Sequence, residues 1–305
     1  RQRQMCIRDR DMLHGSLFDK MLMFAMPLAA CSILQQLFNS VGTAVVGRFA
    51  SSEALAAVGS NSSVIALMVT LFSGISLGSN VVIANYIGQN DTKRIPRVVH
   101  TAVSLALLSG VFLLILGQFV AHPILLLMGA PKDIIHLATL YLRIYFLGMP
   151  FFMLYNYGAA ILRAIGDTKR PLIFLIISGI ANAALNMILV ILFHMGVAGV
   201  AIGTIISQLI SCVLVLTCLY RSEGSYQLRF SKLKINGAYM EQIFQVGVPA
   251  GIQSTVINLS NALLQSSVNS FGSIAMAGYT AANNILGFLY MLSLIHISEP
   301  TRLQL

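Results

Sequence analysis

The side chains able to do chemistry inside the apolar stretches of this 305-residue chain are neutral amides and hydroxyls. Gln35, Gln36 and Asn39 recur at helical spacing in the first stretch, and Asn80 and Asn85 lie in the second. Asn182 and Asn186 fall in the fifth, Thr204 and Gln208 in the sixth, and Gln253, Asn258, Asn261 and Gln265 in the seventh. Residues four apart share a helix face, so Asn182/Asn186 and Thr204/Gln208 each turn paired polar groups to one side. An amide facing lipid would leave its hydrogen-bonding groups unsatisfied, so these faces are expected to point inward. Taken singly, such a residue reads as glue between helices. Spread over several spans, the set reads better as the lining of a solvated cavity.

Carboxylates are placed very differently. The ten acids are Asp9, Asp11, Asp19, Glu53, Asp91, Asp133, Asp167, Glu223, Glu241 and Glu299, and none falls well inside an apolar stretch. Intramembrane carboxylates usually mark proton or cation relays. Their absence weakens ion coupling by this segment alone and argues against a membrane hydrolase. His14, His100, His122, His136, His194 and His296 are scattered, mostly at loops or helix ends, and read as interfacial or packed. Cys31, Cys212 and Cys218 lie in apolar helices as small hydrophobes, with no metal-ligand spacing. No metal, no cofactor and no catalytic residue is expected. There is no Gly-rich run ending in Gly-Lys-Ser/Thr, so no ATPase chemistry is implied within the chain.

The elements that must position these residues are membrane helices. Hydrophobic residues make up 57% of the chain and charged ones 10%, well under the roughly 25% typical of soluble domains. Stretches 20–46, 54–87, 98–120, 134–160, 172–194, 198–220 and 241–270 each reach the roughly 20 residues of a spanning helix. An eighth begins at 275. The expected fold class is an all-α polytopic membrane protein.

The net charge of +9 invites a nucleic-acid reading, but the basic residues cluster on alternate connections. These clusters are Lys93, Arg94 and Arg97; Arg163, Lys169 and Arg170; and Arg221, Arg229, Lys232 and Lys234. The intervening loops hold only Arg48 and Lys132, and Arg143 is the one basic residue within a span. That alternation follows the positive-inside rule and puts the N-terminus in the cytoplasm. The partner it implies is the lipid bilayer, not nucleic acid.

Two stretches begin alike. Pro27 through Gln35, Asn39 and Gly47 to Ala54-Leu55-Ala56-Ala57 parallels Pro249 through Gln253, Asn258 and Gly272 to Ala275-Met276-Ala277-Gly278. A weak repeat of this size is how many secondary transporters are built. The second unit has scarcely begun where the given sequence stops, so a truncated transporter is expected. Pro27 and Pro249 would be first-turn residues or bend points that help a bundle alternate. Gly74/Gly78, Gly199/Gly203 and Gly247/Gly251 each form a Gly-x-x-x-Gly pair that lets helices approach closely.

Segments 1–11 and 292–305 fit no structural role. They read as translated sequencing adapter, the second breaking the helix that starts near Ala275 and ending in a polar, Pro-containing tail.

Gly47-Arg48-Phe49 followed by Glu53-Ala54-Leu55-Ala56-Ala57-Val58-Gly59 resembles the first helix-loop-helix of MATE (multidrug and toxic compound extrusion) transporters. Ile83-Ala84-Asn85-Tyr86-Ile87-Gly88-Gln89 looks like the end of that family's second helix. The run from Leu162 through Arg163, Gly166, Asp167 and Lys169 to Pro171 is similar to its loop between helices four and five. Gly196-Val197-Ala198-Gly199-Val200-Ala201-Ile202-Gly203-Thr204 matches the turn into helix six.

The resemblance implies two six-helix lobes around a V-shaped cavity, with 12–235 the whole N-lobe and 236–291 the first one to two helices of the C-lobe. It implies antiport of drugs or amphipathic organic cations against H+ or Na+, in the bacterial inner membrane, by a monomer with no ATPase subunit. Asn182 and Thr204 match polar positions of the family's N-lobe cavity. Two positions depart from the family: Gly42 and Asn186 stand where it often has Asp, and Ile257 stands where some members carry the ion-binding acid. The cavity set is therefore Gln35, Asn39, Gly42, Asn182, Asn186, Thr204, Gln253 and Asn258. Two alternatives remain: a flippase for lipid-linked oligosaccharides, which would line its cavity with Arg and Lys and for which only Arg143 is a candidate, or a fragment without function.

Overall fold

The computed structural model describes residues 17–222 and 224–298, with side chains from 26 to 287 apart from Lys232. Segment 1–11 lies outside the described residues. The chain is helical throughout its ordered elements: α1 Leu17–Phe49, α2 Ser52–Gly88, α3 Ile95–Leu127, α4 Ile135–Leu147, α5 Met149–Ala164, α6 Lys169–Met187, α7 Gly196–Arg221, α8 Gly237–Asn269 and α9 Ser273–Ser298. Among the described residues, five helices, or six if α4 and α5 are one broken span, are long and apolar enough to cross a membrane. This is an all-α polytopic membrane protein.

Local sequence sets the helix ends. Ser51 accepts a hydrogen bond from the Ala54 amide at 3.2 Å, and Glu53 sits in the first turn of α2, where a negative charge suits the helix dipole. Pro96 occupies the first turn of α3, where its missing N–H costs nothing.

The single span expected over 134–160 is in fact two helices bent by 51° at Gly148. Pro150 explains the break: its ring clashes with the carbonyl four residues back and it offers no donor. The Pro150 backbone packs against Gly110 of α3, where any Cβ would be too close. The end of α6 also departs from regular geometry, through a π turn over Ile188–Leu192. Pro27 and Pro249 are not first-turn residues, since both lie in the interior of their helices. The helix expected to break near 292 continues as α9 to Ser298, and 299–305 lie outside the described residues.

The seventh stretch forms a full helix, α8, but it is not among those apolar enough to pass as a span by composition. Its Gln253, Ser254, Asn258, Ser260, Asn261 and Gln265 lower its hydropathy. What holds α8 is packing. Gly74 and Gly78 of α2 meet Gly247 and Gly251 of α8 backbone to backbone. A Cβ on Gly74 would overlap the Gly251 backbone, and one on Gly78 would overlap the Ile243 carbonyl. One on Gly247 would lie 2.6 Å from Ile75 Cα, and one on Gly251 would lie 2.7 Å from the Leu71 carbonyl. Polar contacts flank this crossing. Tyr86 donates to Gln242 Oε1 at 2.8 Å, Asn258 Nδ2 donates to Thr70 Oγ1 at 2.8 Å, and Asn269 Nδ2 donates to the Met128 carbonyl at 2.8 Å.

A buried apolar core over α2, α3, α4, α5 and α7, including Ile83, Leu113, Phe146, Met153, Tyr157 and Leu219, carries this frame. Gly74→Val should lower stability by about 1–3 kcal/mol, the usual cost of overpacking. Gly278→Val, where nothing lies within 4 Å, is the matched control. Thermal unfolding in detergent reads the difference, with the Gly74 variant shifted down and the Gly278 variant close to the parent.

Candidate functional site

A cavity of about 500 Å³ lies among α1, α2, α4, α5, α6 and α7, and is closed on one side by α8 and α9. Its residues come from the halves of these helices away from the basic loops. Three kinds of wall meet there. One is aromatic: Tyr141 and Tyr145, stacked at 6.0 Å and 24°, with Phe38 and Phe152. The second is amide and hydroxyl: Asn39, Thr43, Asn182, Asn186 and Thr204 from the six-helix body. The third is polar and comes from the last two helices: Gln265, Thr280, Asn283 and Asn284. No carboxylate, Lys or Arg is among the described residues that line it. Among the described residues, no three His, Cys, Asp or Glu side chains come together as a metal site.

The spacing of α6 and α7 builds the polar wall. Asn186 Nδ2 donates to Asn182 Oδ1 at 3.1 Å, one helical turn away. Asn182 Nδ2 reaches Ser207 Oγ at 3.3 Å and Thr204 Oγ1 at 3.5 Å on α7. Thr204 and Ser207 discharge their own protons onto the carbonyls of Val200 and Thr204, both at 2.8 Å, so both hydroxyls are free to accept. Asn186 is almost fully buried, and its Oδ1 has no hydrogen-bond donor among the described residues. Gly203 is required beside it, because a Cβ there would overlap that oxygen. From the other side Gly42 faces the same amide: a Cβ at 42 would lie 3.4 Å from Asn186 Nδ2. Gly42 and Asn186, distant in sequence, are therefore neighbours across the α1–α6 contact.

Six of the residues expected from sequence in the cavity set fall into place around this cavity or at its edge. Asn39, Gly42, Asn182, Asn186 and Thr204 line it. Asn258 does not line it but holds the lining residue Thr70. Gln35 and Gln253 are both exposed and are not among the residues that line it. The neighbouring Gln36 takes the place expected of Gln35, donating to the Asn284 carbonyl at 3.3 Å, while Ser40 donates to Asn284 Oδ1 at 3.4 Å. Helical phase explains the shift: Gln36, Asn39 and Thr43 share one face of α1.

Tyr141, Tyr145 and Asn284 were not read from sequence as cavity residues, whereas Gln265, one of the amides singled out in the seventh stretch, does line it. The i,i+4 pairs Tyr141/Tyr145 and Thr280/Asn284 were the available signal.

None of Arg163, Gly166, Asp167, Lys169 and Pro171 lines the cavity. They shape the turn from α5 to α6 instead. Gly166 adopts φ +83°, a conformation side chains resist, and Asp167 Oδ1 accepts from the Arg170 amide at 3.1 Å while Oδ2 pairs with Arg170 Nε at 3.1 Å. Pro171 is buried and its carbonyl accepts from Tyr155 Oη at 3.4 Å.

Residues 27–188 match the MatE family. The chain is 33% identical over 285 residues to the probable multidrug resistance protein YoeA of Bacillus subtilis, covering 90% of this chain and 61% of that protein. It is 23% identical to the multidrug export protein MepA of Staphylococcus saprophyticus, again covering 90% of this chain and 61% of that one. Its fold matches the structure of the MATE multidrug transporter DinF-BH with a TM-score of 0.84 at 23% identity, covering 90% of this chain and 61% of that one. The chain thus spans about three fifths of the length of the curated relatives it matches.

Because the described lining holds no carboxylate, His, Lys or Arg, ligand affinity in this cavity should be flat between pH 5 and 8, to within about threefold. Gly42→Asp places a carboxyl beside Asn186 Nδ2. Its charged form attracts a cation and its protonated form does not, so affinity for an organic cation should rise with pH through the carboxyl's pKa. Titrating fluorescence binding against pH, in parent and variant, checks both halves.

Proposed function

The chain belongs to the MatE family, and we propose that it forms the first lobe and the opening helices of the second in a secondary antiporter. This antiporter exports amphipathic organic cations in exchange for H+ or Na+. Residues 12–235 constitute the first lobe and 236–291 the start of the second. Lys and Arg concentrate at the ends formed by 88–95, 164–169 and 221–237, which supports a cytoplasmic location for those ends and for the N-terminus in a bacterial inner membrane.

The observation that carries this reading is the chemistry of the cavity. Aromatic faces and amide oxygens attract a delocalised cation, and a lining without fixed charge imposes no single geometry on it. The same lining argues against lipid-linked oligosaccharide pyrophosphates, which need cationic groups. Arg143, the basic residue that the sequence placed within a span, is exposed and lies outside the cavity. Its position on α4 is marked only by its carbonyl, which accepts from Gln118 Nε2 at 2.9 Å.

Coupling to an ion needs a group whose occupancy changes the preferred arrangement of the two lobes. With Gly42 and Asn186 in the cavity, that group is assigned to the part of the second lobe beyond this chain. The lobe described here supplies the substrate-facing wall, and its partner supplies the switch.

Tyr145→Ala should weaken binding of a fluorescent organic cation by about five- to thirtyfold, the range expected for losing a desolvated cation–π face. Tyr145→Phe should keep most of it. Fluorescence anisotropy on purified protein reads this directly. Equal binding by the parent and the Ala variant, or preference for an anionic pyrophosphate lipid over the cation, would reject the exporter reading.

A further inference from the structure

A second cavity, of about 580 Å³, lies at the opposite end of the bundle, between the first turns of α3 and the connection from α7 to α8. Lys93 and Arg97 line it from the α3 side, and Lys234, Ser231 and Asn236 from the connection. Three cations face one concavity with no acid among its described lining residues, and none of the three makes an ion pair with a described residue. The nearest acid in sequence, Asp91, is already engaged: it pairs with Arg94 Nε at 3.1 Å and accepts from the Arg94 amide at 3.2 Å. Like charges gathered in this way repel each other unless an anion joins them.

The walls are tied together through buried polar groups. His100 Nε2 accepts from the Arg229 amide at 3.1 Å. Thr101 Oγ1 donates to the Arg97 carbonyl at 2.8 Å, accepts from the Asn236 amide at 3.3 Å and lies 3.5 Å from the Lys234 carbonyl. The connection is therefore fixed onto α3, and the basic concavity is a built feature of the fold.

A separate feature points to the ligand's source. Tyr220, in the last turn of α7, and Phe230, on the connection, stack at 6.0 Å and 25°, and both are more than half exposed. Exposed aromatics at the ends of spanning helices mark the depth of lipid headgroups.

We propose that this cavity binds the phosphate of an acidic phospholipid headgroup. Lys93, Arg97 and Lys234 contact its oxygens, and Ser231 and Asn236 provide neutral donors. Basic concavities between helices on the cytoplasmic side suit anionic headgroups. A lipid bound there bridges α3 and the connection into α8, and so strengthens the attachment of α8 to the first lobe. The assignment to the cytoplasmic leaflet rests on the orientation given above. Nanodiscs carry lipid on both faces, so they report the site whichever way the chain inserts.

The experiment measures lipid binding to the full chain by native mass spectrometry, together with its melting temperature in nanodiscs. The lipids compared are phosphatidylglycerol and phosphatidylcholine, with inorganic phosphate added separately. Phosphatidylglycerol should bind and raise the melting temperature, and phosphatidylcholine should do neither. Each lost cation should weaken binding about fivefold, so Lys93→Gln/Arg97→Gln/Lys234→Gln weakens it about a hundredfold. Lys132→Gln/Lys169→Gln/Arg221→Gln removes equal charge elsewhere and should change it less than about threefold. Equal weakening in the two triple variants would show diffuse attraction and overturn the site. Stabilisation by inorganic phosphate with no preference for phosphatidylglycerol would assign the cavity to a free anion and overturn the lipid proposal.

Discussion

Everything described for the cavity depends on a close backbone approach. α8 is more polar than the helices that pass as spans by composition, yet it lies against α2 because four glycines remove the side chains that would keep the two backbones apart. In lipid there is no hydrophobic force between helices, so van der Waals contact and polar bridges must supply the attraction. Here they do both, with the glycine crossing at the centre and the Tyr86–Gln242, Thr70–Asn258 and Met128–Asn269 contacts distributed along the helix. Seating α8 in turn brings α9 against α1 and α2, where Gly59 leaves room for Thr280 and Gly287 leaves room for Gln36. The fourth side of the cavity exists because of that seating.

The cavity's neutrality follows from which groups those helices present. Burying an unpaired charge at this depth costs several kcal/mol, which is why intramembrane acids and bases are rare and specialised. This lobe meets its polar needs with amides that satisfy one another, leaving the Asn186 oxygen as a buried acceptor without a described donor. A lining of that kind fits a loosely held apolar cation and cannot by itself sense pH. A division of labour between two lobes, one receiving substrate and the other reading the ion, is consistent with a repeat that has diverged in chemistry while keeping its helical frame.

Much of this was legible in the residues. Composition and the alternation of Lys and Arg gave the helical membrane class and the basic end, and the helical spacing of Asn182, Asn186 and Thr204 marked the polar wall. The Gly-x-x-x-Gly pairs were visible too, but not that Gly74/Gly78 and Gly247/Gly251 meet each other, because pairing between distant helices leaves no mark on local pattern. Gln35 and Gln36 show the limit of periodicity: one residue is 100° of helix, enough to exchange cavity for exterior. The break at Gly148 was hidden because the apolar run is continuous through it, although Pro150 was present to signal it. Gln253 is exposed on α8 and lies outside the cavity formed by the described residues, a placement that the helical pattern does not distinguish from a lining one.

The most direct test of the central claim is a crosslink between α2 and α8 in the membrane. Thr70→Cys with Asn258→Cys replaces a side-chain hydrogen bond by a cysteine pair in the same contact. Mild oxidation should join the two helices rapidly, whereas Thr70→Cys with Gln253→Cys, on an exposed part of α8, should not react. Failure of the first pair while the second crosslinks would mean that α8 sits in another register, and the glycine crossing and the cavity wall it supports would both be wrong.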